Sequence, residues 1–479
     1  MIFAQIAHQP NRTERKGATH DNSPFGGVDS HFIDFHRRYS PIFQSRTRDV
    51  NRIAEQYFKG LIQASKKNME RMAEAVPDCN DQSLQHFLTN SPWDDQLVVG
   101  QVAHDANTLL GDRGNSCLNL DESGMPKKGD KSVGVSRQWC GQLGKTDNCQ
   151  VGVYSTLCHG EHAVPIGFRL FLPQTWVDDP QRCRQAGVPD EYIEFHRKHD
   201  LALQLVIEAR VNGVQFEWIG ADSFYGKDPA FLRTLDQMHE TFMVDVHKSQ
   251  HIYLEDPAPR VPPATSRKGR KPTKLKAQCA SMRADKWADQ QPRSKWKRTC
   301  VRDTTKGKLQ VEILHHRVWL WDGKESKANC WHLIVRREIK TKEVKYSLSN
   351  APASTSYRRL VFMQAQRYWI ERNFQDAKNQ CGMGEYQARK WQSWHHHMAM
   401  VMMAMLFMVE QRMLFEHSYP LLSCFDIVSI LKFLLPRRAV TLEEVIRQLE
   451  FRHKRRQASI DFAYQKQLEH ELSESAVNL

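Results

Sequence analysis

Long apolar runs are missing from this 479-residue sequence. The longest, 398–409, has twelve residues between His395–His397 and Glu410. That is too short to span a bilayer and reads as a buried helix, so no membrane partner is expected. The start M-I-F-A-Q-I-A-H lacks a basic segment followed by a long apolar one, so no secretory leader is expected. The eleven cysteines are odd in number and scattered, which argues against a disulfide framework and for reduced thiols in a cytoplasmic protein. Cys140, Cys149, Cys158, His159 and His162 cluster in sequence, but nine-residue gaps match no common zinc spacing. No internal repeat indicates a solenoid, and no helix-turn-helix signature is clear near the N-terminus.

What is abundant is positive charge. The formal net charge of +13 suits a polyanion partner. Its placement is uneven: residues 260–298 hold thirteen Lys and Arg against two acids. Such a run is either a solvated loop or a phosphate-binding arm, and Lys268, Arg270, Lys271 and Lys274 are its densest part.

Periodicity divides the chain. After a polar lead over 1–30, helical patterns cover 34–75, 83–88 and 97–110. The period then changes, with strands expected at 116–120, 133–140, 148–157 and 163–172. A helix over 189–212, a strand over 216–221, a helix over 228–238 and a strand over 241–246 follow. Strands followed by this alternation predict an α/β fold with a mixed sheet and helices on its faces. Past a Pro- and Lys/Arg-rich stretch, strands at 308–321, 329–337 and 342–349 form a β-rich insertion. The segment from Tyr357 to Trp394 reads as one long helix, ended by Gly382 or Gly384. Helices at 395–415, 425–435 and 441–452, the last with a Thr441/Glu444 capping box, precede a polar, fraying end.

Asp121 and Asp222 each follow a short apolar strand, with a glycine a few residues on. Arg367, Glu371 and Lys378, spaced by four and seven, share one helical face. Singly, the aspartates suit turns or caps, and the trio suits an ion-pair ladder. Together, two strand-end carboxylates and a helix carboxylate can converge on two hard divalent cations, which favour oxygen ligands and serve phosphodiester cleavage.

The stretches L-N-L-D-E-S-G-M-P-K-K-G (118–129), S-V-G-V-S-R-Q-W-C-G-Q-L-G-K-T-D-N-C-Q-V (132–151), G-A-D-S-F-Y-G (220–226) and R-Y-W-I-E-R-N-F-Q-D-A-K (367–378) resemble the DDE-type insertion-sequence transposases of bacteria, which have an RNase H-like core. The resemblance runs from about Leu97 to His397. It implies that Asp121, Asp222 and Glu371 are the catalytic, metal-binding residues, with two Mg²⁺ ions or Mn²⁺ in their place. A related group carries Tyr-x-x-Arg-x-x-x-Glu-x-x-x-x-x-x-Lys in the Glu helix. Arg367, Glu371 and Lys378 match it, and its tyrosine position is Gln364 here. The implied activity is cutting and rejoining double-stranded DNA at inverted terminal repeats, by a homodimer on two ends in a bacterial cytoplasm, at the nucleoid. Arg367 and Lys378 would hold DNA phosphates, as could Lys127, Lys128 and Arg137. In hairpin-forming relatives an aromatic side chain of the insertion holds a flipped base, for which Trp319 and Trp331 are candidates, with core packing as the alternative. On this reading 1–96 is a helical DNA-binding region, 97–246 the first part of the core, 247–350 the basic and β-rich insertion, 351–400 the second part of the core, and 401–479 a helical C-terminal region. A DNA-binding protein derived from a transposase, or an RNase H-like nuclease, is the alternative.

Overall fold

A computed structural model of the chain describes residues 25–44, 48–263, 271–304 and 307–477. Most of the expected polar lead, and Lys268 and Arg270 of the basic run, lie outside them. Helices α1 (Val28–Tyr39), α2 (Asn51–Gln63), α3 (Met69–Ala75), α4 (Asp81–Thr89) and α5 (Asp95–Leu110) come first. Asn68, Asn80 and Asp94 begin α3, α4 and α5, their side chains accepting first-turn backbone N–H groups. Stacked rings close the bundle: Phe32 lies 4.3 Å from Phe58 and Phe87 lies 5.1 Å from Trp93, centroid to centroid.

The sheet begins with β1 (Cys117–Pro126), β2 (Ser136–Cys140), β3 (Lys145–His159) and β4 (His162–Leu170). Short helices α6 (Gln174–Val177) and α7 (Pro180–Gln185) lead to α8 (Lys198–Val211), β5 (Trp218–Ala221), α9 (Ser223–Gly226), α10 (Pro229–Gln237) and β6 (Phe242–Val246). A two-stranded piece, β7 (His251–Ile252) with β8 (Met282–Arg283), and α11 (Ala284–Asp289) precede β9 (Lys297–Thr304), β10 (Gly307–Leu320), β11 (Asn329–Glu338) and β12 (Val344–Ser349). The principal sheet has ten strands in the order β2-β3-β1-β5-β6-β12-β11-β10-β9, with β4 also on β3. β1 is antiparallel to β3 and parallel to β5, and β5 is parallel to β6. β1, β3 and β4 are buried along most of their length, as expected for strands covered on both faces.

The stretch expected as a β-rich insertion forms four strands that join the principal sheet. β12 pairs antiparallel with β6, so β9–β12 extend the core sheet. Among the described residues the basic run is not all loop: Arg260 and Lys276 pair through their backbones, and β8 and α11 fall within it. Ala284, Trp287 and Ala288 of α11 are buried, and β9 joins β10.

After β12 come α12 (Tyr357–Gln366), α13 (Tyr368–Cys381), α14 (Trp391–Phe415), α15 (Cys424–Leu434) and α16 (Leu442–Val477). The long helix expected over 357–394 is thus broken twice. At Arg367 the backbone stays right-handed, but the Asn119 amide donates to the Gln366 carbonyl at 3.0 Å, and the Ile370 N–H turns to Arg367 instead. Gly382, with φ of 65°, ends α13. A side chain there would also strike Lys67. α14 is long and apolar enough to cross a membrane, but residues 393–409 are buried within this molecule, as the core helix expected from sequence. The final helix runs on to Val477 rather than ending near Arg452, because residues 453–477 contain neither glycine nor proline to stop it.

Candidate active site

In the parallel pair β1/β5, Leu120 sits opposite Ala221. The next residues are Asp121 and Asp222, so the two carboxylates leave adjacent strands at the same level. β5 stops there, whereas β1 continues to Pro126 along β3. Asp121 is thus the fifth residue of a ten-residue strand and not, as its sequence context suggests, the strand's end. The early end of β5 opens a cleft of about 560 Å³ beside it. Asp121, Glu122, Asp222, Glu371 and Lys378 line this cleft, with Glu371 and Lys378 supplied by α13. The glycine after Asp222 has a steric reason: a Cβ on Gly226 would fall 1.9 Å from the Asp245 carbonyl oxygen, so only glycine lets α9 pack on β6.

Arg367 is the electrostatic centre of the cleft. Its guanidinium contacts Glu371 at 2.5 Å, Asp245 at 3.1 Å and Asp121 at 3.8 Å. Burial works against that charge, but Asp245, Glu371, Asp121 and Asp222 outweigh it and hold the guanidinium protonated. Asp245 in turn accepts from the Ser347 hydroxyl at 2.5 Å, and Ser347 accepts from the Gln364 amide at 2.7 Å. Gln364, at the signature's tyrosine position, is thus buried in a hydrogen-bond chain that ends on Arg367.

The aspartates themselves are poorly compensated. Burial first, then the charge of Asp222, pushes the Asp121 carboxyl well above the usual range, against the pull of Arg367. Burial and the charge of Glu122 raise Asp222. Asp222 accepts the backbone N–H groups of Phe224 at 2.9 Å and Tyr225 at 3.4 Å. Glu122 receives Lys198 at 3.2 Å through one oxygen, while the other is buried without a hydrogen-bond partner. Buried, mutually repelling carboxylates with oxygen-only donors suit a hard divalent cation. Among the described residues no three Asp, Glu, His or Cys side chains are gathered tightly enough to hold one as they stand. Glu371, half-exposed, is turned to Arg367.

The remaining predicted cations are dispersed. Lys378 lines the cleft, and burial lowers its pKa. Lys127 donates to the Tyr386 carbonyl at 2.9 Å and lies 3.7 Å from that ring, and burial brings its pKa down to about 8. Lys127 and the exposed Lys128 line a separate groove of about 890 Å³ with Arg389, Lys390 and Arg455. Arg137, Lys271 and Lys274 are exposed and line neither. Trp331 packs edge-on against Phe242 in the core, and Trp319 pairs through its backbone with Tyr253. The eleven cysteines are all unpaired, and eight are buried.

Sequence reasoning passed over Asp245, Glu122 and Trp139, all of which touch the cleft or its arginine. Asp245 carried a signal: it follows an apolar strand run, T-F-M-V, as Asp121 and Asp222 do.

Known proteins bear on this arrangement. Over 193 residues the chain is 32% identical to a probable transposase for insertion sequence element IS701 from Microchaete diplosiphon. The match covers 40% of this chain and 47% of that protein, so the chain spans about half the length of the curated relative it matches. A solved synaptic complex of the piggyBac transposase with hairpin DNA overlaps 85% of this chain and 76% of its own, at 11% identity and a TM-score of 0.36, too slight a likeness to argue from. A model of the DDE superfamily endonucleases matches residues 38–308, a span that includes Asp121 and Asp222 and ends before Glu371. With more than half of its length so matched, the chain belongs to the DDE superfamily of endonucleases.

Proposed function

We propose that this chain is a DNA transposase that cuts and rejoins double-stranded DNA at inverted terminal repeats. The observation that supports the reading is that Asp121 and Asp222, from neighbouring parallel strands, and Glu371 line one cleft. The partial identity to a probable insertion-sequence transposase supports it. Asp121, Asp222 and Glu371 would hold Mg²⁺, or Mn²⁺ in its place, which when bound supplies Lewis acidity at the scissile phosphate. To join that set, Glu371 leaves Arg367, which stays on Asp245 and turns a donor toward a DNA phosphate. Lys378, on the same wall, holds a second phosphate oxygen. Water attacks the scissile phosphate and breaks its bond to the 3′ oxygen, which leaves as a 3′ hydroxyl. That hydroxyl then attacks a second phosphate in the same cleft, displacing its 3′ oxygen as a new hydroxyl, so the DNA is joined with no net loss of phosphodiester bonds in that step. The groove with Lys128, Arg389 and Lys390, and the exposed Lys271 and Lys274, track the duplex backbone beyond the cut. The working species is a pair of chains on two DNA ends, in a cytoplasm that keeps the eleven thiols reduced.

The test is a supercoiled plasmid carrying the repeats that flank the encoding locus, incubated with protein and Mg²⁺. Cutting at the repeat ends and rejoining are expected. Asp121→Ala, Asp222→Ala and Glu371→Ala should each abolish cutting while binding of end DNA stays within about twofold, since the duplex is held mainly by cations outside this trio. A variant that still cuts at the wild-type rate removes its residue from the set. Binding without cutting by the wild type identifies a DNA-binding derivative of a transposase, and cutting without rejoining identifies a nuclease.

A further inference from the structure

The sequence has twelve tryptophans, all among the described residues, and Trp139 is the one that lies mostly open to solvent, at 60% exposure. A single exposed apolar side chain is ordinary on a protein surface. The position of this one is not. Trp139 lines the same cleft as Asp121, Asp222 and Glu371, although it comes from a different element, β2. β2 is an edge strand, paired only with β3, so one of its sides is open. Arg137 lies two residues away and is also exposed, placing a cation and an aromatic ring on one strand face. The turn that follows, 141–144, brings Gly141 and Gln142 into the cleft lining, and a Cβ on Gly141 would meet nothing within 4 Å. Across the cleft, α13 presents Gln375, Lys378 and Asn379.

We propose that Trp139 is a base-stacking side chain, holding a nucleobase of the DNA next to the scissile phosphate. The proposal rests on the transposase reading for the identity of the phosphate in the cleft. An indole face supplies a sequence-tolerant platform, because every base has a π-face. Arg137 beside it neutralises the adjoining phosphate, and Gln142, Gln375 and Asn379 offer amide groups to base edges. The ring thereby separates two tasks in one cleft. The acids and Lys378 address the phosphate, and Trp139 fixes the nucleotide's rotation about it. Trp319 and Trp331 do not fill this place, because one is half-buried and the other packs in the core.

The experiment uses the full chain in a Glu371→Gln background, mixed with duplexes carrying the terminal repeat. 5-Iodouracil replaces, in turn, the bases on either side of the cut. Irradiation should crosslink one of these positions to Trp139, mapped by mass spectrometry of the peptide. With Glu371 intact, Trp139→Ala should cut about tenfold more slowly at unchanged duplex affinity, and Trp139→Phe should recover most of the rate. The Ala variant should unfold at the wild-type temperature, since the side chain is exposed. Absence of a crosslink at Trp139 from every position, or full-rate cutting by Trp139→Ala, overturns the proposal. Crosslinking needs no cleavage, so a Trp139 crosslink from a wild-type chain that does not cut would keep the stacking role while removing the transposase reading.

Discussion

At the scale of single residues, Asp245 decides what Arg367 can do. The arginine is held between Asp245 on one side and Glu371 and Asp121 on the other. Without Asp245 the guanidinium would settle wholly on the cleft acids, as a permanent competitor for any divalent cation. Asp245→Ala should therefore raise the Mg²⁺ concentration needed for half-maximal cutting by about tenfold or more, the usual scale for a partner behind a metal ligand. It should also lower folding stability by about 3 kcal/mol, because a mostly buried arginine loses the acid that most favours its charge. Metal titrations of cutting rate, with urea unfolding alongside, separate the two effects. An unchanged Mg²⁺ requirement in a destabilised variant would mean that Asp245 only packs. Asp245→Asn, which keeps the shape and one acceptor, should fall between the two.

Among the elements, α14 has the clearest chemical consequence. His395, His396 and His397 are buried in it, and burial lowers their pKa values to about 4, 4 and 3. His396 stacks on Trp93 at 3.7 Å, and His397 takes a 2.7 Å contact from the Tyr57 hydroxyl. Above about pH 6.5 these imidazoles are neutral both folded and unfolded, and cost nothing. Below it the unfolded chain binds protons that the fold refuses, so stability is lost as pH falls toward the folded values. Each should cost about 2 kcal/mol by pH 5. Urea midpoints measured from pH 7 to 5 should fall steeply, and His397→Gln should lessen the slope by about 1.4 kcal/mol per pH unit. An identical slope would show that His397 is protonated in the fold. The same helix was legible from its apolar run, as were most strands around Asp121 and Asp222, because burial on both faces leaves a continuous apolar signature. The break between α12 and α13 was not legible. Its cause, Asn119, lies 247 positions away in sequence, and no glycine or proline marks Arg367. Nor was β9, whose K-R-T-C-V-R-D-T is polar and charged and becomes a strand because β10 offers it an edge. Trp139 is hidden for another reason: nothing in the sequence sets it apart from eleven other tryptophans, and only the fold leaves it uncovered.

For the whole molecule, the question is how many copies act together. On the proposed reading, moving a DNA segment requires two ends joined to one target, and one set of Asp121, Asp222 and Glu371 would serve one strand at a time. The chain offers cations in separate places, the groove with Lys128 and Arg389 and the exposed Lys271 and Lys274, so one copy can grip DNA apart from its own cleft. Two-fold pairing on two ends satisfies both demands. Mixing active chains with Glu371→Gln chains at fixed total concentration tests this. If both copies must cut before DNA is rejoined, joined product should fall as about the square of the active fraction. A linear fall would mean that a single copy suffices.

The pairing of β12 with β6 also has a mechanical meaning. From the outer edge at β9 to the strand that ends at Asp222, five successive hydrogen-bonded ladders run without a loop between them. A loop would absorb a pull by straightening, whereas a ladder transmits it, because every strand is tied sideways along its length. On the proposed reading, tension on a duplex held at that far edge would be delivered as shear across the sheet to the floor of the cleft. The outer strands would then work as a stiff lever on the strand that leads to Asp222, and strain in a bent duplex would reach the cleft.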